Sequence, residues 1–289
     1  SKINKDQNNI KKAVSSLYDE DFSENSHFIE YNSKAFIEVA RFTENAFIDQ
    51  KDINAIINIG GGTGLYFEEL AHKLKLKGNI VNLDISKIAL KQIKESRKNS
   101  ILSPLHADAE HLPFKNNSAD GVICSLAISF FSDPYFAIKE IERILAPKRK
   151  AVIIFDHPTS SLTELMQEYL ISKSKNEQKF VEVFLKNSSR TKEQWMKMLD
   201  DAGLKVEKSQ NFYHINDFAG DGILCHGVIV SKKSNNDEFE DIKKEIEKKP
   251  LENKSPGNTE TKKILTEDKE IIKKLESDIN EAKEVLKNL

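Results

Sequence analysis

Cysteine is scarce: Cys124 and Cys225 are the two in 289 residues, and neither has a C-x-x-C partner or a neighbouring ladder of His and Cys. That excludes a disulfide framework and a structural zinc site, so no metal is expected. It also fits a reducing, cytoplasmic setting. Nowhere do about 18 apolar residues run together, and no apolar stretch of signal-peptide length opens the chain, so a membrane span is not expected. An excess of one charge is missing too. The 44 basic and 46 acidic side chains leave a formal charge of −2, which gives no global pull toward nucleic acid or an anionic surface. No basic stripe interleaved with aromatics stands out to track a polynucleotide, which disfavours nucleic acid as a partner.

What is present divides into three textures. Over residues 1–52 apolar residues recur at helical spacing (Ala13, Val14, Leu17, then Phe28, Tyr31, Phe36, Ile37, Val39, Ala40, Phe42), which predicts a cap of two or three helices. Over 53–233 short β-branched runs alternate with amphipathic stretches. The strands are expected at Ala55–Ile59, Ile80–Leu83, Gly121–Ser125, Ala151–Phe155, Lys205–Tyr213 and Ile223–Val230, with a weak one near Ser103–His106. Helices are expected at Leu65–Leu76, Ser86–Asn99 and Pro134–Leu145. Strand-helix alternation predicts an α/β fold, a mostly parallel sheet with right-handed crossovers and helices on both faces. The last two strands are joined by a loop too short for a helix and should form an antiparallel hairpin at one edge. Residues 234–289 are a charged linker followed by apolar positions mostly three or four apart (Ile264, Ile271, Leu275, Ile279, Ala282, Leu286, Leu289). That pattern predicts a C-terminal amphipathic helix, either lying in solvent or available for self- or hetero-association.

The densest signal is INIGGGTG at 57–64, with four glycines in the five positions from Gly60 to Gly64. It lies between an apolar strand and an amphipathic helix, at the carboxyl end of the first strand, where open parallel sheets bind ligands. Unpaired N–H groups at the helix start can grip a ligand there, and glycine lets it approach the backbone. A P-loop needs Lys followed by Ser or Thr after the last glycine, but Leu65 and Tyr66 stand there. A dinucleotide fingerprint needs G-x-G-x-x-G/A, but the sixth position is Leu65 counting from Gly60 and Phe67 counting from Gly62. G-x-G-x-G fits, through Gly60, Gly62 and Gly64.

In this the sequence resembles the class I S-adenosylmethionine-dependent methyltransferases, and within them the ubiquinone/menaquinone-biosynthesis or type 11 branch. Asn58-Ile59-Gly60-Gly61-Gly62-Thr63-Gly64 is similar to their first motif, and Val81-Asn82-Leu83-Asp84 to the strand that ends in a ribose-binding acid. Ala107-Asp108-Ala109-Glu110-His111-Leu112-Pro113-Phe114 resembles their G-D-A-x-x-L-P-F segment. Ser118–Ile123 resembles the F-D-x-V stretch, Glu140–Pro147 the E-x-x-R-x-L-x-P helix end, and Trp195–Val206 the segment before the final strands. The resemblance implies a seven-stranded Rossmann-like sheet with one antiparallel edge strand and S-adenosylmethionine as cofactor. Asn58, Gly60, Gly62, Gly64, Asp84, Ile85, Asp108 and Ala109 would be the cofactor-binding residues, with Asp84 on the ribose, Ile85 against the adenine and Asp108 on its amino group. Two departures stand out. Asn58 replaces the usual acid, and Ala146-Pro147-Lys148-Arg149-Lys150 replaces a glycine-containing turn with three cations, read as a solvated turn or a patch for an acidic partner.

Methyl transfer from an activated sulfonium needs alignment, and a base only where the nucleophile must lose a proton. Asp156 and His157 follow the fifth strand and are the candidate catalytic residues, with His214 and His226 behind them; ending the strand is their bland alternative. Ser125 and Ser129 are expected to line the pocket. Cys124-Ser125-Leu126-Ala127 stands where the resemblance puts N/D-P-P-Y/F in enzymes acting on base amines or glutamine amides. The expected activity is methylation of a small-molecule O, N or C nucleophile. A non-catalytic cofactor-binding subunit, and a protein methyltransferase docking its substrate through the C-terminal tail, remain alternatives. Residues 160–190, with Leu162, Leu165, Met166, Tyr169, Leu170, Phe180, Val183 and Phe184, suit either a substrate lid or plain helix packing.

Overall fold

In the computed structural model, residues 7–16, 34–76, 79–96, 101–158, 167–168, 178–214, 222–234 and 237 are described. The chain separates into two compact units, Ser1–Lys232 and Lys233–Leu289. The expected C-terminal helix lies outside the described residues, as do Tyr18, Phe28, Tyr31 and the apolar positions of 160–177.

Seven strands form one sheet: β1 (Ala55–Ile59), β2 (Asn79–Asp84), β3 (Leu102–His106), β4 (Ala119–Ser125), β5 (Leu145–Asp156), β6 (Leu204–His214) and β7 (Gly222–Lys232). Their order is β3-β2-β1-β4-β5-β7-β6. All neighbouring pairs are parallel except those made by β7, which runs antiparallel between β5 and β6. The expected hairpin therefore closes one edge, with β6 outermost. The weak strand is real and begins at Leu102; Pro104 is tolerated because β3 is the opposite edge, where a missing N–H leaves no ladder broken on its outer side.

The helices include α1 over 7–16, α2 (Lys34–Phe47), α3 (Leu65–Lys73), α4 (Lys87–Ser96), α5 (Pro134–Ile144), α6 (Gln178–Ser188) and α7 (Lys192–Asp201). Two of their starts are written in the local sequence. Asp133 caps α5 by accepting from the Tyr135 N–H with Pro134 at the first turn, and Thr191 and Gln194 make a reciprocal capping box on α7.

Alternation along the strands sorts side chains into two layers. Ile57, Ile59, Val122, Cys124, Ile153 and Phe155 pack with the Ala137/Ile138/Ile141/Ile144 stripe of α5 and with Trp195 and Leu199 of α7. Ile56, Ile123, Val152 and Ile154 pack on the other face with Val39, Phe42 and Phe47 of α2, Phe67 and Leu70 of α3, and Leu90 and Ile93 of α4. The N-terminal segment thus has two destinations. Helix α2 belongs to a sheet layer, with Phe42 edge-on to Phe212 at 5.4 Å; α1 goes to the carboxyl ends of the strands.

The cationic 146–150 stretch is an early part of β5. Arg149 donates to the carbonyls of Lys51 and Asp52 at 2.8 and 3.2 Å and pairs with Asp120 at 3.1 Å. This ties the entry of β1 to β4, where Asp120 also accepts from the Asn54 N–H.

Candidate functional site

Gly60, Gly62 and Gly64 have φ of 64°, 53° and 68°, the left-handed region in which a Cβ costs energy. The turn they make is tied to the next strand. The Gly62 N–H donates to Asp84 Oδ2 at 2.7 Å, the Gly61 N–H to the Leu83 carbonyl at 3.1 Å, and the Gly64 N–H to the Gly61 carbonyl at 2.8 Å. Much of what crowds these glycines is the protein itself. A Cβ at Gly61 would run into the Asn58 and Asn82 amides, one at Gly60 into Ala127, and one at Gly64 into Leu102.

Asn58 is buried and its amide donates to Asn82 Oδ1 at 2.7 Å, while the Asn82 amide donates to the Gly62 carbonyl at 2.9 Å. The two asparagines are register partners on β1 and β2. Asn58 therefore steadies the glycine turn through Asn82, a residue that sequence reasoning did not single out. Its signal was a second polar residue inside an apolar strand.

Asp84, at the end of β2, holds the Gly62 N–H on one oxygen and the Ser86 N–H, at 2.8 Å, on the other. Past β3, Asp108 accepts from the Glu110 N–H at 2.9 Å and from Lys11 Nζ at 2.6 Å, with His111 Nδ1 at 3.2 Å. Burial alone would raise the Asp108 pKa; the Lys11 bond and the Glu110 N–H outweigh it and hold the carboxyl below its usual range. Ala109 is buried in the core, so its side chain faces packing. The Ile85 side chain packs on a cluster of Ile10, Ala13 and Val14 from α1 with Phe130, Phe180 and Phe184, and its carbonyl accepts from Ser15 Oγ at 3.2 Å. Phe180 and Phe184 of α6 are thereby engaged in helix packing.

Across β1 lie the ends of β4 and β5. Asp156 Oδ2 is enclosed and has no hydrogen-bond partner among the described residues, although another part of the residue reaches the surface. Burial pushes its pKa up to about 6, and Ser129 draws it only part of the way back. The Ser129 hydroxyl, also enclosed, is close enough for that effect but outside hydrogen-bonding geometry. The same burial, with the Asp156 charge adding to it, raises the Cys124 thiol to about 12, so it stays protonated. His157 is half-buried, which lowers its pKa. His226 pairs in register with Phe155, whereas Asp156 pairs with Cys225, so His226 and Asp156 leave the sheet on opposite faces. His226 Nδ1 lies 2.5 Å from Asn211 Oδ1, and burial lowers the ring's pKa to about 4. The structure therefore does not place His226 with Asp156. The His214 side chain lies outside the described residues.

The sheet order sets these groups in a row: Asp108 beyond β3, Asp84 at the end of β2, the glycine turn after β1, then the ends of β4 and β5. Residues 57–153 match the family described as "Methyltransferase domain". This stretch, from within β1 to within β5, carries the chain's match to the class I S-adenosylmethionine-dependent methyltransferases of the type 11 branch. The chain is 34% identical over 110 residues to the ubiquinone/menaquinone biosynthesis C-methyltransferase UbiE of Wigglesworthia glossinidia brevipalpis, covering 37% of this chain and 42% of that protein. It is 29% identical over 130 residues to the chloroplastic 2-methyl-6-phytyl-1,4-hydroquinone methyltransferase of Arabidopsis thaliana, covering 45% and 38%. The chain thus spans about half, or less, of the curated relatives it matches.

Among solved structures the methyltransferase fold is similar to the N-methyltransferase NodS from Bradyrhizobium japonicum WM9 in complex with S-adenosyl-L-homocysteine (TM-score 0.55, 12% identity, 76% of this chain and 98% of that one). It is also similar to the [4+2]-cyclase SpnF (TM-score 0.52, 15% identity, 69% and 74%). At such identities the likeness is of fold alone.

The methyltransferase site fits its family's cofactor on its own geometry. Asp108, with 30% of its side chain exposed and its pKa held down, presents an acceptor carboxylate suited to an amino group. The Glu140–Arg143 pair explains why the E-x-x-R and L-P-F segments occur together. Arg143 donates to the carbonyls of Leu112 and Phe114 at 2.9 and 2.7 Å and to Glu140 at 2.7 and 2.8 Å, while Glu140 accepts the Leu112 N–H at 2.6 Å. Arg143→Ala should lower stability by about 1–2 kcal/mol, because two loop carbonyls lose a charged donor. A shift of the urea midpoint at constant slope would show it, and an unshifted midpoint would mean that water replaces the guanidinium at no cost.

Proposed function

We propose that this chain transfers a methyl group from S-adenosylmethionine to a small-molecule acceptor. The observation that carries the reading is the ordered row of glycine turn, Asp84 and Asp108 on consecutive strand ends, within a chain segment matching a methyltransferase domain. Asp108 accepts from the adenine amino group, Asp84 from the ribose hydroxyls, and the glycine turn lies under the amino-acid end. When bound, the cofactor supplies a sulfonium-activated methyl group. Adjacent strands are about 4.8 Å apart, so a ligand whose adenine lies beyond β3 and whose far end lies over β1 presents its reacting end toward β4 and β5.

Asp156 is the charged group waiting there. Its enclosed oxygen takes the acceptor's proton where the attacking atom carries one, and its raised pKa brings it closer to a base poised near neutrality. His157 stands one residue further on, its pKa lowered by burial. The names of the curated relatives, a C-methyltransferase of ubiquinone/menaquinone biosynthesis and a hydroquinone methyltransferase, favour a ring carbon among the O, N and C alternatives.

Calorimetric titration of the full chain with S-adenosylmethionine, S-adenosylhomocysteine and NAD tests the cofactor assignment. Binding of the first two alone is the expected result. Binding of NAD, or of none, would overturn it.

A further inference from the structure

Lys11 belongs to no motif, yet it is the residue through which α1 touches the site's acids. Its ammonium lies 2.6 Å from Asp108 Oδ2 and 2.9 Å from Glu110 Oε2. The Glu110 side chain is buried, anchored by the Ser132 hydroxyl at 2.6 and 2.8 Å and the Asp133 N–H at 3.0 Å, so it cannot swing away. One cation thus sits between two carboxylates, one fixed to the start of α5 and the other assigned to the adenine amino group. The rest of α1 lies in the same place: Ser15 donates to the Ile85 carbonyl, and Ile10, Ala13 and Val14 pack with Phe130, Phe180 and Phe184.

We propose that Lys11 is a positioning and specificity-determining residue that joins closure of α1 to recognition of the adenine. Its ammonium keeps Asp108 ionised and oriented toward the 6-amino group, and the same ion pair fastens α1 over the adenosine. The proposal rests on the assignment of Asp108 to adenine made above. An amino group donates, so Asp108 must present a charged acceptor. Without Lys11, burial and the neighbouring Glu110 carboxylate both favour protonation of Asp108, and a protonated carboxyl no longer rejects a 6-oxo base that itself accepts at that position. A helix that merely covered the site would hold both bases equally.

The test compares the full wild-type chain with Lys11→Met and Lys11→Arg, using S-adenosylhomocysteine and S-inosylhomocysteine as probes. Calorimetry gives affinity, stopped-flow mixing gives dissociation rate, and hydrogen exchange over 7–16 without ligand reads the fastening of α1. Lys11→Met should weaken the adenosyl probe by about tenfold or more, chiefly through faster dissociation, and shrink its preference over the inosyl probe. Protection of 7–16 should fall, and Lys11→Arg should restore all three. Equal weakening of both probes would overturn the specificity role and leave Lys11 a structural residue. Unchanged protection would overturn the fastening. If the wild-type chain binds neither probe, the adenine assignment itself fails and takes the specificity role with it; the exchange arm still decides whether Lys11 fastens α1.

Discussion

Asp156→Asn should make the protein more stable at about pH 8, by about 2–3 kcal/mol, while removing most of its methyl transfer. The carboxyl has its pKa moved from 3.8 to about 6 by burial, a shift worth about 1.4 kcal/mol per unit. The folded value lies above the unfolded one, so between them the folded chain binds the extra proton. Stability contributed by this group is therefore full below the ordinary carboxylate pKa and is lost as pH rises through about 6. The neutral asparagine carries no such loss, so the gain should vanish at about pH 4, below which both forms are uncharged. Urea unfolding of the two proteins at both pH values measures it; equal stability at both would mean the carboxylate is solvated after all.

The catalytic half of that prediction goes the opposite way. An amide cannot receive a proton, so transfer to an acceptor that must lose one should fall by about 10²–10⁴-fold. The limb of the wild-type rate that rises through about pH 6 should disappear in the variant. A buried, unpartnered group that costs stability is an expected feature of a functional site. Retained turnover with an unaltered pH profile would move proton transfer elsewhere, His157 being the next group along the chain.

Asp84→Ala has the second large effect, a loss of about 1.5–3 kcal/mol in S-adenosylmethionine binding, the scale of a hydrogen bond to a charged group. The structure adds a second consequence. The Gly62 and Ser86 N–H groups both donate to this carboxylate, so alanine also unties the glycine turn from β2. Asp84→Asn separates the two effects, because its carbonyl can still accept one of those N–H groups while the charge is gone. Titration calorimetry beside urea unfolding should show affinity lost in both variants and stability lost mainly in Asp84→Ala. Unchanged affinity in either would remove Asp84 from the ribose.

How much of this was legible can be seen element by element. The glycine turn, the acid ending β2 and the acid after β3 are local patterns: a strand, a turn demanding positive φ, a helix start. The glycine turn was readable because backbone geometry restricts which residues can stand there, and the two acids because their segments resemble the family's motifs. The β6–β7 hairpin was readable because the connecting loop is too short for a crossover helix. The capping of α5 and α7 is likewise local. The cationic 146–150 stretch was harder, since nothing nearby shows that Arg149 reaches the carbonyls of Lys51 and Asp52, nearly a hundred positions earlier.

By itself, the sequence determined the alternation of strands and helices, the position of the glycine turn and the family that residues 57–153 match. Periodicity, turn chemistry and motif order are all properties of neighbours along the chain. Only the tertiary structure decided that Asn58 acts through Asn82, that Lys11 sits between Asp108 and Glu110, and that Asp156 and His226 leave the sheet on opposite faces. Each of those depends on strand order and register, which bring distant residues within 3 Å or turn near neighbours to opposite faces of the sheet. Burial, which sets the charge on Asp156, is a property of the packed whole.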